Sequence, residues 1–244
     1  MAITQYNLYN DKQFCCIRIE ASWNTNNIDS YSLFRKEGNV WNEINHGETS
    51  GNSVTLYDVE TISGITYTYR IKIMSGSTTI DTSTTKSCEC RFRGISLSDA
   101  TGTWCSDFGS SDNELMKSMK KNNQVGYINT LTGKYPHRVI NSDSNYYTGE
   151  INALFIPLNA SGCPSFDDIN AYRYELMEFL CNKYKKILKT GEGRAFIVSI
   201  DGAPEEVYNL RDDVTTVRFT WTQIGTIYEP KYTRSSPVWD GGNE

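Results

Sequence analysis

Few residues in this 244-residue sequence have the type and spacing that catalysis requires. There are two histidines, His46 in a polar stretch and His137 directly after a proline. Neither stands at a motif spacing from the serine, cysteine or aspartate that a nucleophilic triad needs. We expect a hydrogen bond within a turn for His137 rather than catalysis, and we predict that the protein is not an enzyme.

Paired carboxylates could in principle cleave glycosidic bonds, because glycosidases place two acidic side chains around the scissile bond. Each adjacent acidic pair, however, lies at a predicted turn or helix start, where a capping or solvated role is expected. The pairs are Asp167/Asp168, Glu205/Glu206 and Asp212/Asp213. The segment TGEGRA at 190–195 lacks the Gly-Lys-Ser/Thr ending of a phosphate loop. We therefore predict no catalytic residue and no cofactor.

The cysteines do not form the framework of a disulfide-rich or zinc-binding protein. Their number is odd and their spacing irregular. Cys88 and Cys90 are one residue apart and lack both the usual spacer and the second ligand pair of a zinc site. Asp143, Ser144 and Asn145 are followed by Gly149 at the wrong offset for a calcium loop, and no glutamate stands at the twelfth position. We expect reduced structural thiols and no metal.

The net charge and the hydropathy of the sequence limit the kinds of partner that we expect. A net charge of −5 argues against tight nucleic-acid binding, since phosphate neutralisation needs clustered lysine and arginine. No apolar run approaches the roughly 20 residues of a membrane-spanning helix. The N-terminus has neither a basic start nor an apolar stretch, so we expect no signal peptide, synthesis in a cytoplasm and no membrane partner.

The elements that would position any site fall into two groups. From Gln13 to Phe92 the sequence alternates polar and apolar residues in short segments between turn residues, the pattern of an all-β sandwich over residues 1–93. The predicted strands are FCCIRIEASW, SYSLFRKE, VWNEI, SVTLYDV, TYTYRIKIM and TTIDTSTTKSCECRF.

Several aromatic positions of this half resemble a fibronectin type III domain. Trp23 ends one strand, Tyr31 begins the next, and the run Ser63–Ile71 has a glycine-containing turn before Tyr67. In that family a Trp and a Tyr pack across the two sheets, and the Tyr at the corner bonds back to the backbone. The resemblance implies a structural core that includes Trp23, Tyr31, Tyr67 and Tyr69, and it implies no activity.

Residues 94–113, rich in Gly, Ser and Asp, are predicted to link this sandwich to a second domain over 114–228. That domain should begin with a short helical turn at 114–121. Strands are then predicted at 125–131, 137–141, 147–156, 195–200, 207–210 and 216–225, with a turn at 201–204 and with Phe219 and Trp221 on one face of the last strand. Residues 229–244 are expected to form an extended tail.

A long amphipathic helix is predicted over residues 167–189. Apolar residues recur at spacings of three and four, and Leu176, Phe179 and Leu180 should face the core. Ser165 is a candidate N-cap. The lysines Lys185, Lys186 and Lys189, followed by a glycine, are predicted to end the helix. One helix with six or so strands predicts an antiparallel or mixed α+β barrel.

The order of segments in this half carries a second resemblance. GKYPHRVINSDSNYYTGEINALF is followed by the helix, by GRAFIVSIDG and by VRFTWTQIG. This order resembles the split β-barrel of tail-tube, distal-tail and baseplate-hub proteins of tailed phages and phage-like particles, although Gln223 replaces the family's glutamate. The resemblance implies a structural subunit of a phage tail or tail-like particle, in the distal tail or baseplate region of the virion. It would form a sixfold ring with further copies of itself, connect neighbouring tail proteins and let DNA pass through its lumen.

An alternative is a module that binds glycans or a host surface through exposed aromatic side chains. The candidate partner contacts are Trp41, Trp104 and Trp239. Trp239 is expected to pack against a neighbouring subunit.

Overall fold

The computed structural model describes residues 2–25, 27–99, 102–106, 116–128, 137–157, 163–165, 168–209 and 214–227. Within these ranges the chain forms fifteen strands and one α-helix, which confirms the prediction of a mainly β protein with a single helix. In the described residues no helix is long and apolar enough to cross a membrane.

The N-terminal half is a sandwich of two antiparallel sheets. One sheet has the order β1-β2-β5, and the other has the order β4-β3-β6-β7 with β8 also paired to β6. The strands are β1 Ile3–Asp11, β2 Cys16–Trp23, β3 Ser30–Glu37, β4 Val40–Glu48, β5 Ser53–Asp58, β6 Ile65–Ser75, β7 Thr78–Thr82 and β8 Lys86–Cys90. Strand β1 lies outside the predicted segments.

The sandwich core forms because alternate residues of each strand point inward. Ile19 of one sheet and Ile71 of the other are both fully buried in one apolar cluster. Trp23 is 3% exposed and Tyr69 is fully buried, while the half-buried rings of Tyr31 and Tyr67 pack against the same cluster. The backbone N–H of Ile62 donates to Tyr67 Oη at 2.9 Å.

The C-terminal half is built on a seven-stranded antiparallel sheet that curls into a half-barrel. Its strand order is β10-β9-β13-β14-β15-β12-β11. The strands are β9 Ile95–Ser98, β10 Thr103–Ser106, β11 Met116–Ile128, β12 His137–Ala153, β13 Lys186–Thr190, β14 Ala195–Asn209 and β15 Val214–Gly225.

The predicted linker at 94–113 is wrong where the structure describes it. Strand β9 is buried along its whole length and lies between β10 and β13 in the sheet, so these residues belong to the second domain. A four-residue strand that alternates isoleucine or leucine with serine is too short to show a period, and serines are common in turns. Residues 107–113 lie outside the described part of the chain.

The predicted helical turn at 114–121 is also wrong, since residues from Met116 belong to β11. Its methionines and lysines favour a helix when considered alone, but pairing with β12 over the length of the strand overrides that preference. Strand β12 joins two segments that were predicted as separate strands. Strand β14 likewise runs from the predicted strand at 195–200 through the predicted turn at 201–204 and into the predicted segment at 207–210, so that turn is wrong.

The helix α1 spans Ile169–Cys181 and is shorter than the predicted 167–189. Asn182 is already extended, and Lys186–Thr190 form strand β13. The predicted stop at Lys185, Lys186 and Lys189 is therefore wrong. The N-cap position is occupied by Asp168, without a side-chain capping bond, and not by Ser165.

The helix packs on one face of the curled sheet. Leu176, Phe179 and Leu180 are buried there in a cluster that also contains Phe219 and Trp221 of β15. A smaller apolar cluster joins the sandwich to the seven-stranded sheet. Ile62 of the sandwich half packs there with three buried residues of the C-terminal half, Ile187, Ile197 and Ile227. The two halves are thus in direct apolar contact.

Candidate functional site

The outer face of the five-stranded sheet carries a row of alternating aromatic and basic side chains. The register places Phe34 of β3 across from Arg70 of β6, and Lys36 of β3 across from Trp41 of β4. Because residues two apart on a strand share a face, Lys72 lies on the same face as Arg70. We call Trp41, Arg70, Phe34 and Lys72 the basic-aromatic ladder.

Cation–π contacts hold the ladder together. The Arg70 guanidinium carbon lies 4.3 Å from the Trp41 ring centroid and 5.3 Å from that of Phe34. The Lys72 ammonium lies 4.8 Å from the Phe34 centroid. All four side chains are half-buried. A cation placed over a ring face is attracted by the ring quadrupole, so each ring fixes the position of a charge.

The two cations of the ladder lack anionic partners in the described part of the chain. The side chains of Arg70 and Lys72 make no hydrogen bond or ion pair with any described residue. Arg70 Nε is buried without a partner, whereas the terminal nitrogens of Arg70 and the Lys72 ammonium are not buried. The ladder therefore presents two unpaired positive groups to solvent.

The predicted partner contacts meet different outcomes. Trp41 is half-buried within the ladder. The backbone of Trp104 belongs to β10, but its side chain lies outside the description, and Trp239 lies outside the described residues altogether. The structure therefore adds three side chains to Trp41 that sequence reasoning missed, namely Phe34, Arg70 and Lys72.

A buried charged cluster lies where the sandwich meets the seven-stranded sheet. Arg35 Nη1 donates to the two carboxylate oxygens of Asp58 at 2.8 and 3.1 Å, and its Nη2 lies 3.5 Å from Glu60. Tyr69 Oη also donates to Asp58, at 2.8 Å. Burial lowers the pKa of Arg35, but the carboxylates of Asp58, Glu37 and Glu60 together outweigh burial and raise it above its usual value. Burial raises the pKa of Tyr69, and Asp58 adds to that rise.

Lys189 enters this junction from β13. Its ammonium donates to the backbone carbonyls of Cys15 at 2.6 Å and Val59 at 2.9 Å, and it lies 5.5 Å from the Phe92 ring centroid. The side chain is fully buried. Burial also raises the pKa of the neighbouring Cys16 thiol. With no solvent access, these groups stabilise the junction rather than perform chemistry.

Lys186, three residues earlier on β13, is buried on the helix side of the sheet. Its ammonium pairs with Asp99 at 2.9 Å, donates to the carbonyl of Tyr184 at 2.8 Å and also contacts Asn182 Oδ1. Asn182 Nδ2 donates to the same carboxylate at 3.0 Å. Burial lowers the pKa of Lys186 despite its carboxylate partner. This cluster fastens the end of α1 to β9 and β13.

The residues considered for catalysis or metal binding do not converge. His46 Nδ1 lies 3.1 Å from Ser32 Oγ. Glu205 pairs with Arg218, and Glu206 accepts a hydrogen bond from Tyr208. Among the described residues no three His, Cys, Asp or Glu side chains are grouped to hold a metal ion. The side chain of His137 and residues 167, 212 and 213 lie outside the description.

A polar cleft of about 830 Å³ lies at one end of the sandwich, lined in part by Asp29, His46, Glu48 and Met74. Its carboxylate at Asp29 already accepts hydrogen bonds from the Gly76 N–H at 2.6 Å and from Ser30 Oγ at 2.8 Å. The Asp29 carboxylate is therefore already engaged in hydrogen bonds within the protein and is a poor candidate for binding a ligand in the cleft.

Two exposed tyrosines on the C-terminal half are further candidates for contact with other proteins. Tyr174 of α1 is 69% exposed and Tyr208 of β14 is 68% exposed. Tyrosine is enriched at protein interfaces because its ring is apolar while its hydroxyl stays solvated. Sequence reasoning missed both residues, although Tyr174 lies on the polar side of the helical pattern, where a large ring is unusual.

The chain matches no known protein-family model and no curated protein. Its function must therefore be inferred from the geometry of the two halves.

Proposed function

We propose that the protein is a structural subunit of a phage tail or tail-like particle, located in the distal tail or baseplate region of the virion. The observation that supports this best is the curled seven-stranded antiparallel sheet with one helix packed on it. A half-barrel of this kind is what the resemblance in the C-terminal half implies. The proposed partners are further copies of the chain and neighbouring tail proteins.

The ends of the half-barrel supply a way to assemble. Among the described residues, β10 pairs only with β9, and β11 pairs only with β12. An outer strand leaves one row of backbone N–H and C=O groups available to a neighbouring chain. When such a head-to-tail contact closes on itself it forms a ring, and the family resemblance implies six subunits.

The sandwich would brace or connect this ring. Its contact with the half-barrel contains both apolar residues and the buried Lys189, so forces on one half are transmitted to the other. The net charge of −5 suits a conduit for DNA, since clustered positive charge would retain the passing strand. We propose no cofactor and no catalytic step.

The native mass of the purified protein tests this proposal, together with negative-stain averages of the same peak. We expect a ring near six times the 27.7 kDa protomer, with a central hole. A protein that stays monomeric at every concentration, and that does not join tail particles in an assembly extract, would contradict the proposal.

A paired variant sharpens the same experiment. Replacing both Tyr174 and Tyr208 with serine should shift the ring toward monomers without lowering the unfolding midpoint, because both side chains are exposed. The matched control is Tyr9→Ser, which removes a 40% exposed tyrosine from the sandwich. Equal loss of rings in control and test variants would exclude these tyrosines as ring contacts.

A further inference from the structure

We propose that the basic-aromatic ladder binds an acidic polysaccharide. The proposal concerns the sandwich alone and is independent of ring formation by the other half. It starts from Arg70, whose guanidinium contacts the rings of both Trp41 and Phe34. A guanidinium held against aromatic rings still donates hydrogen bonds through its edge, which fits two oxygens of one carboxylate, phosphate or sulfate.

The second cation extends the positive surface. Lys72 lies two residues from Arg70 on β6, and both cations contact the Phe34 ring. Lys36 adds an exposed positive group across from Trp41. A ligand with charges repeated along its length can meet several of these cations at once, whereas a single small anion can meet one. The geometry thus favours a linear polyanion.

The aromatic members favour a sugar polymer over an acidic polypeptide. The rings of Trp41 and Phe34 are half-buried on this face, so an apolar surface borders the cations. The C–H face of a sugar ring can pack on such a surface while its acidic group reaches Arg70. A run of glutamates offers charge without that apolar face. Nucleic acid needs a longer basic track than these residues provide.

One carboxylate limits the positive face. Glu43 of β4 lies across from Phe34 and is exposed. Its ionic neighbour in the described part of the chain is His46, with the Glu43 oxygen 4.0 Å from Nδ1. Since Glu43 repels an acidic ligand at this edge, Glu43→Gln should strengthen binding about two- to threefold.

The test uses the full-length protein and polygalacturonate as the probe, with binding followed by calorimetry at low salt. The double variant Arg70→Gln and Lys72→Gln should bind at least about tenfold more weakly. The control is Lys120→Gln with Lys183→Gln, which removes two exposed lysines from the other half and changes the net charge equally. That control should bind within about twofold of the native protein.

Three further measurements separate the outcomes. Trp41→Leu keeps both cations and should still weaken binding to polygalacturonate. Arg70→Lys keeps the charge but loses the planar edge, so it should bind more weakly than the native protein, and its thermal unfolding reports whether the fold is intact. Native binding should be stronger to polygalacturonate than to polyglutamate of equal charge, and absent with neutral dextran.

The proposal is overturned if the native protein does not bind polygalacturonate. It is also overturned if the control weakens binding as much as the ladder variant, or if polyglutamate or single-stranded DNA binds as tightly as the polysaccharide. Those last results would identify a general polyanion surface.

Discussion

Strand β13 sends Lys186 toward the helix and Lys189 toward the sandwich, and the two buried ammonium groups meet different partners. Lys186 faces the carboxylate of Asp99, within its own half of the chain. Lys189 faces two backbone carbonyls of the sandwich, contributed by Cys15 and Val59. Both side chains are fully buried, so the environment differs in chemistry rather than in exposure.

The difference teaches how one strand can serve two purposes. An ion pair fixes a charge to one opposite charge, and loss of the cation leaves a buried carboxylate without an opposite charge. Hydrogen bonds to neutral carbonyls are weaker than an ion pair. These carbonyls belong to the backbone, however, so they stay in position as long as the sandwich is folded. Lys186 therefore secures the end of α1, whereas Lys189 joins the two halves of the molecule.

The largest effect is expected on the helix side. Lys186→Ala should lower the free energy of unfolding by about 3–5 kcal/mol, because Asp99 would stay buried without its cation. Chemical denaturation measures this loss. Combining Lys186→Met with Asp99→Asn removes both charges and should restore most of the stability. A loss below about 1 kcal/mol in the single variant would show that water reaches Asp99.

A smaller effect is expected on the sandwich side. Lys189→Met keeps the apolar stem but removes the donor to the carbonyls of Cys15 and Val59, so unfolding should cost about 2–3 kcal/mol less. The two halves should also become less cooperative, with the single unfolding transition splitting into two. Lys183→Met, at an exposed position, is the control and should leave one transition.

If Lys189→Met left both the midpoint and the single transition unchanged, the contrast between the two faces of β13 would fail. The apolar cluster around Ile62 would then hold the halves together without the lysine.

The smallest effect is a dependence on pH that has opposite signs in the two regions. Burial raises the pKa of Cys16, so its contribution to stability is complete below the unfolded pKa near 9 and is lost as pH rises. Burial lowers the pKa of Lys186, so below the unfolded value of 10.5 the native state holds fewer protons and stability rises with pH.

Above pH 9 the loss can reach about 1.4 kcal/mol per pH unit for each buried thiol. Denaturation series at pH 8, 9 and 10 should therefore show a shallower decline for Cys16→Ala than for the native protein. Cys181→Ala removes an exposed thiol and should follow the native curve. Parallel curves for native protein and Cys16→Ala would mean that the thiol stays protonated in the unfolded chain.

Sandwich strands such as β2 were predictable because buried and less buried residues alternate over five or more positions. Strand β1 was not, since most of its residues are polar and only its pairing with β2 makes it a strand. Strand β13 was hidden because a strand covered on both faces has no alternation, and its lysines are typical of a helix end.

The ladder shows a second limit. Trp41 could be chosen from the sequence as a large aromatic residue in a weak strand. Phe34 and Arg70 are 36 residues apart, and they meet only because β3 pairs with β6 in one register. A shift of one residue would turn Arg70 toward the core, and the sequence does not state the register.

The position of Lys189 in the chain also orders the steps of synthesis. Its carbonyl partner at Val59 is made 130 residues earlier, and the one at Cys15 is made 174 residues earlier. While a ribosome extends the chain, the sandwich strands can already pair, but these two carbonyls stay hydrogen-bonded to water until Lys189 is made. The junction closes only after β13 has emerged, so a chain arrested before that point would display an unfinished hydrated surface.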